Sequence, residues 1–372
     1  MKPLTLIFLA GLAAAGTVHA QNATIYGTLD VGIESLSNVQ PAGGRLTRIP
    51  SNTGLTVSRL GLRGKEDLGA GLSAIYTLEM GFSLDTGALG QGGRLFGRQS
   101  FVGLSGDWGD VTLGRHWTMR FWSMLDSDIV GPSIYGLGVL DNYISNARID
   151  NSVSYKGKFN DFTVGATYSL GRDTVNAGPS PGGTNCPGES ATDAAACREW
   201  SAMVKYDTRT WGAAVAYDKL NGRTPSSATD LLLPAGLTSS SKSDARLMLG
   251  GHVNLTSVKL AGGVIRRNND GSATRPKSDL WYLGASYPVS PALTIDGTVA
   301  RLGYKNAADA NATLLTVRSL YKLSKRTTLY GMIGTIRNGS LSNITVSGGG
   351  PGSNPALGGS QTGTMVGINH NF

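Results

Sequence analysis

The 372-residue chain holds only two cysteines and four histidines. That scarcity narrows its chemistry. His116, His252 and His370 are widely spaced, and there is no His-Glu-x-x-His, Gly-x-Ser-x-Gly or P-loop, so no familiar catalytic or nucleotide site is written in the sequence. Cys186 and Cys197 lack a nearby histidine and do not complete a zinc site. No metal, cofactor or enzymatic activity is therefore expected. Long apolar runs are also scarce. Beyond the first residues, nothing approaches the roughly 20 apolar residues that a membrane-crossing helix needs. What is abundant is glycine, 53 residues against 14 prolines, spread among short apolar-polar segments separated by Gly, Asn, Asp and Ser. This composition reads as all-β.

Residues 1–20 read as a secretory signal peptide: Lys2 supplies the positive start, Leu4 to Ala15 the apolar stretch, and Val18-His19-Ala20 the cleavage site. The mature domain then runs over 21–372. Export excludes a cytoplasmic role, and no nucleic-acid partner is expected. In an oxidising setting Cys186 and Cys197, eleven apart in a polar stretch, read as a loop disulfide. The formal net charge of +8 suits anionic solutes, lipopolysaccharide or mere solubility, and does not choose among them.

The stretch from Thr56 to Phe82 sets the pattern. At period two, Ser58, Leu60, Leu62 and Gly64 fall on one face and Arg59, Gly61, Arg63 and Lys65 on the other. After the turn residues Glu66 to Gly71 the alternation resumes, with Tyr76, Leu78 and Met80 opposite Thr77 and Glu79. Such a hairpin fits a sandwich or a membrane barrel. The remaining strands decide. Segments 24–35, 54–66, 71–83, 94–106, 109–117, 148–157, 161–171, 199–207, 211–220, 245–255, 257–267, 278–289, 292–303, 312–323, 327–337 and 361–372 all read as strands. Every second connection is tight, while 118–147, 172–198, 221–244 and 338–360 are long. Short turns at one rim and long loops at the other predict an antiparallel transmembrane β-barrel of sixteen strands. The final strand ends on the aromatic Phe372, suited to closing the barrel against the first.

Several ordered motifs resemble the general porins of the Gram-negative outer membrane, beta-proteobacterial type. They are Thr24-Ile25-Tyr26-Gly27-Thr28-Leu29-Asp30-Val31-Gly32, Ser58-Arg59-Leu60-Gly61-Leu62-Arg63-Gly64-Lys65-Glu66-Asp67-Leu68-Gly69, and Leu95-Phe96-Gly97-Arg98-Gln99-Ser100-Phe101-Val102-Gly103-Leu104. Val111 to Arg115, Asn151 to Tyr155 and the terminal Phe372 extend the likeness over the mature chain. The resemblance implies a homotrimeric diffusion channel for small hydrophilic solutes and ions, set among outer-membrane lipid and lipopolysaccharide. It also implies Phe372 as the signal read by the barrel-assembly machinery, and a third extracellular loop folded into the lumen.

That loop is the segment 117–147, whose apolar content needs a surface to cover it. Where the family often carries Pro-Glu-Phe-Gly at the tip, this chain has Ile129-Val130-Gly131-Pro132-Ser133. By the resemblance Arg59, Arg98 and Arg148 form a basic ladder on the pore wall facing the loop, with Arg63 and Arg115 as further lumen charges and Glu79 as a lumen acid. Asp126 and Asp128 supply the opposing charge across the constriction, and the expected outcome is an anion preference. By strict alternation Arg98 shares a face with Ser100, Val102 and Leu104, so its lumen position follows from the resemblance alone. A substrate-specific anion channel and a surface adhesin are the alternatives.

Overall fold

The computed structural model describes residues 23–372 apart from 53, 142–143, 145–146, 173–185, 187 and 226–235. The signal peptide and its cleavage point, and part of loop 172–198, lie outside the described residues. Seventeen strands follow in order. They are β1 (Thr24–Val39), β2 (Gly44–Arg48), β3 (Arg59–Gly69), β4 (Leu72–Gly81), β5 (Gln99–Gly106), β6 (Gly109–Trp117), β7 (Arg148–Phe159), β8 (Phe162–Ser169) and β9 (Glu199–Asp207). Then come β10 (Trp211–Asn221), β11 (Ser243–Asn254), β12 (Lys259–Asn269), β13 (Lys277–Pro288), β14 (Leu293–Tyr304), β15 (Ala312–Lys322), β16 (Thr327–Asn338) and β17 (Gln361–Asn371). The short β2 pairs back on the outer end of β1, and the other sixteen strands make one closed antiparallel wall.

Closure is made by β1 and β17, paired from Thr28 opposite Asn371 to Leu36 opposite Gly363. One residue further, Gly27 and Phe372 exchange both backbone hydrogen bonds at 3.1 Å. The Phe372 ring lies over Gly27, where an added Cβ would stand 2.4 Å from ring atom Cζ. A closed ladder leaves no unpaired edge, the condition for strands to cross lipid. The tight turns follow local chemistry: at the β3–β4 hairpin Asp67 accepts from the Gly69 N–H at 2.9 Å, and the backbone turns with φ of 86° at Gly69.

The two faces of the wall differ as the alternation requires. Ile25, Val102, Leu113, Leu283 and Val366 are among the exposed apolar side chains of the outer surface. Inward, the wall divides into two halves. From β3 to β9 it carries the half-buried Arg59 and the buried Glu79, Thr112, Ser152, Ser154 and Thr167; from β11 to β17 it carries the buried Met248, Ile265, Leu280, Leu302, Leu314 and Met332. Strands such as β12 and β15 are thus apolar on both faces, like strands covered on both sides.

The covering layer is the segment 118–147, which begins with a one-turn helix α1 (Met119–Met124) capped by Thr118. Tyr135, Leu137 and Leu140 of this segment form one buried cluster with β11–β17. Tyr135 is fully buried, and its ring occupies the space above two glycines: a Cβ at Gly334 or at Gly363 would stand 2.8 Å from it. Polar anchors add to this contact. The Tyr135 carbonyl accepts from the Thr316 hydroxyl at 2.7 Å, and Arg318 donates to the carbonyls of Val130 and Ile129 at 2.7 and 2.8 Å.

Replacing Tyr135 by Ala should remove burial comparable to a large aromatic core truncation, about 3–5 kcal/mol. The barrel ladder is untouched, so the sheet should persist while the segment loosens. The expected readout is larger, noisier single-channel current with unchanged far-ultraviolet circular dichroism.

Candidate functional site

The polar half of the inner wall gathers its charges through strand register. In the β3–β4 pairing Arg59 faces Gly81 and Gly61 faces Glu79; in β4–β5, Glu79 faces Gln99. Glu79 is buried and central. Its Oε1 accepts from Arg98 Nε at 2.6 Å, its Oε2 accepts from the Tyr26 hydroxyl at 2.9 Å, and Arg59 Nε lies 3.8 Å away. Gly81 leaves room for this pairing, since a Cβ there would stand 3.0 Å from Arg98 Cδ. Arg98 reaches the lumen because it precedes the first residue of β5, where strict alternation does not yet apply. Arg63 shares the inward face of β3 and lies over the Tyr26 ring at 5.1 Å.

Arg148 completes the group. Its guanidinium lies 3.9 Å above the Trp117 ring, with Arg98 at 5.4 Å from the same ring. Phe121 stacks on Trp117 with ring centroids 3.7 Å apart. Two guanidinium groups near one indole are held by cation–π attraction, which weakly hydrated arginine favours. A cavity of about 550 Å³ opens here, lined by Arg98, Trp117 and Arg148 of the wall and by Phe121, Pro132, Ile134 and Val139 of the segment 118–147.

Arg115 is not part of this group. Its Nη1 is 2.5 Å from Asp150 and its Nε donates to the Gly97 carbonyl at 2.8 Å. Both Arg115 and Asp150 line a groove shared with the exposed Leu113, Val153 and Leu170, on the outer side of the wall. Arg115 shares the outward parity of Leu113, and a bulge brings Asp150 to it: between Gly114–Ser152 and His116–Ile149 the register gains one residue on β7, where Asn151 has φ of 49°. That extra residue re-aims Asp150 outward to meet Arg115.

The acids of the 118–147 segment also turn away from the arginine group. Asp126 pairs with Lys205 of β9, which also lies 3.3 Å from Asp207. Asp128 accepts from the Gly131 N–H at 3.1 Å within its own turn. Asp141 receives Arg246 of β11 in two bonds of 2.7 and 3.1 Å, and Arg120 pairs with Asp218 of β10 at 3.1 Å. Among the described residues lining the arginine cavity there is no acidic side chain. The nearest partners of the two carboxylates expected to oppose the arginines are thus Lys205 for Asp126 and the Gly131 amide for Asp128. Lys205, Arg246 and Arg318, which the sequence reading did not single out, are the wall side of those anchors. Their signal in the sequence was a cation at inward parity, on β9, β11 and β15.

Cys186 and Cys197 are bonded, with Cα atoms 5.7 Å apart, and their cluster with Leu237 is buried.

The titration of the anchors follows their surroundings. Burial pushes the Asp128 carboxyl up to about 6, against the smaller opposing pull of its backbone donors and Arg318. Burial acts the same way on Asp141, but Arg246, with Arg267 and Arg120, holds that carboxyl below the usual carboxylate range. A raised carboxyl binds its proton more tightly folded than unfolded, so its contribution to stability falls as pH rises from the unfolded value of about 3.9 to about 6. Asp128→Asn should remove that slope. The expected outcome is a variant whose thermal unfolding gains on the wild type between pH 4.5 and 7, read by comparing the two melting curves at each pH.

Comparison with known proteins gives consistent matches. A family profile described as Gram-negative porin matches residues 5–341. The chain is 30% identical over 387 aligned positions to outer membrane porin protein 32 of Delftia acidovorans, covering 99% of both chains. It is 28% identical to an outer membrane porin protein of Bordetella pertussis over 82% of this chain and 77% of that one. Among solved structures, an anion-selective porin from Comamonas acidovorans superposes with a TM-score of 0.74 at 27% identity, over 95% of this chain and 100% of that one.

Proposed function

The chain belongs to the Gram-negative porin family, and on that premise we propose that its channel prefers small hydrophilic anions. It is an outer-membrane channel in a bacterial outer membrane. The carrying observation for the preference is charge imbalance: Arg59 and Arg98 share Glu79, Arg148 joins Arg98 at the Trp117 ring, and no described acid lines the cavity there. In a narrow passage with low-dielectric walls, a surplus of cations raises the local anion concentration and lowers it for cations. The segment 118–147 forms the other side of the constriction in this reading. The anion-selective character of the Comamonas acidovorans porin supports it. Arg63 contributes to the approach, and Arg115, paired with Asp150 on the outer side, does not.

The same premise carries further parts of the reading. Residues 1–20 are the export leader, the functional unit is a homotrimer, Phe372 is the assembly signal, and lipopolysaccharide is the outer-leaflet neighbour. Transport is passive and involves no catalysis by the protein.

Arg59→Gln combined with Arg148→Gln should move the zero-current potential in a potassium chloride gradient toward cation selectivity, lowering the anion-to-cation permeability ratio several-fold. An unchanged potential sinks the arginine assignment while leaving the channel itself intact.

A further inference from the structure

The outer surface of β12–β16 departs from the apolar pattern near the rim that bears the long loops. By alternation, Val264 of β12, Leu283 of β13, Val299 of β14 and Leu315 of β15 point outward, the last three exposed. Continuing those outward positions toward the rim brings Arg266 on β12, Lys277 on β13, Arg301 on β14, Lys305 just past it, and Arg337 on β16. All five are exposed. The register makes them contiguous. Arg301 faces Trp281 on one side and Thr313 on the other, Thr313 faces Arg337, and Arg266 faces Asp279. Alternate strands place neighbouring cations about 10 Å apart across the sheet.

Among the described outward positions of β12–β16, Asp279 is the one acid. Asp279 receives Arg266 at 2.8 and 3.3 Å and stands 3.6 Å from Lys305. One carboxylate thus serves two cations, and the patch keeps a net positive charge. Cations on a lipid-facing wall are costly at mid-membrane and fall to little cost at the interface. Directly below the patch, Trp281 is 57% exposed and Leu283 62% exposed, the first an interfacial type of side chain and the second an acyl-chain contact.

We propose that this face of β12–β16 is a binding site for a phosphorylated glycolipid of the outer leaflet, its phosphates on Arg301, Arg337 and Lys277 and its acyl chains along Trp281 and Leu283. Rim placement, net charge and the apolar surface beneath together fit an anionic amphiphile. A free phosphate makes no use of that apolar surface. Arg266 and Lys305, tied to Asp279, hold the edge of the site. The proposal rests on the outer-membrane placement of the channel and deepens the expected lipopolysaccharide contact into a located site.

The test uses the full folded protein in detergent, with hexa-acylated lipid A as probe and bound lipid counted by native mass spectrometry. Arg301→Gln with Arg337→Gln should weaken lipid A binding by about tenfold or more, taking the loss expected per cation at an anionic lipid surface. Lys325→Gln with Arg326→Gln, in the turn at the opposite rim, should leave it unchanged. Conductance in a planar bilayer is recorded on the same preparations, so loss of the channel reading is seen separately from loss of the site. A second measurement needs no variant: wild-type protein should prefer lipid A over its dephosphorylated form and over phosphatidylglycerol. Equal retention of dephosphorylated lipid A, equal binding of phosphatidylglycerol, or full binding by the Arg301/Arg337 variant overturns the proposal.

Discussion

Everything in this molecule depends on the need to satisfy each backbone N–H and C=O of a chain that crosses lipid without helices. No helix among the described residues is long and apolar enough to span a membrane. Strands can do so only when the ladder returns on itself. The β1–β17 register, extended by the reciprocal bonds of Gly27 and Phe372, closes that ladder. Once it is closed, the period of two fixes which side chains meet lipid and which meet the interior. The inner charges, the outer belt and the seat of the inserted segment are all consequences of that parity.

Parity also explains how much could be read from the sequence. The sixteen wall strands, their tight turns and their long loops were legible because glycine-rich turns and alternating apolar residues are local signals. Even Arg59 and Glu79 followed from counting by twos. What could not be counted were the places where counting breaks. Arg98 sits just before its strand begins, and Asp150 lies in a bulge whose other residue, Asn151, is a non-glycine at positive φ. The short β2 ribbon was likewise absent from the pattern, since five residues after a turn carry too little alternation to stand out.

The loop acids teach a different lesson. Asp126, Asp128 and Asp141 lie in one segment, and their clustering suggests a common task facing the pore. Each was instead settled by the nearest complementary group, Lys205, the Gly131 amide and Arg246 respectively. Burying a carboxylate is costly unless it is paired or hydrogen-bonded, so a segment pressed against a wall directs its acids toward wall cations. The arginines around Glu79 are held differently: Arg98 and Arg148 are themselves buried, the first paired with Glu79 and both lying near the Trp117 ring. Asp126 and Asp141 thus each meet a cation of the wall, whereas Arg59 and Arg98 share the one acid Glu79.

Tyr135 sits on a floor that belongs to no single strand. Gly334 comes from β16, Gly363 from β17, and Leu36 of β1 borders the same spot. Gly334 and Gly363 face each other across the last pair of strands, and Leu36 faces Gly363 across the closing seam. The last two strands therefore supply the floor and the first strand its border, so the seat of the tyrosine is whole only in the closed ring. A barrel opened at that seam would keep the floor and lose one wall of the aromatic seat.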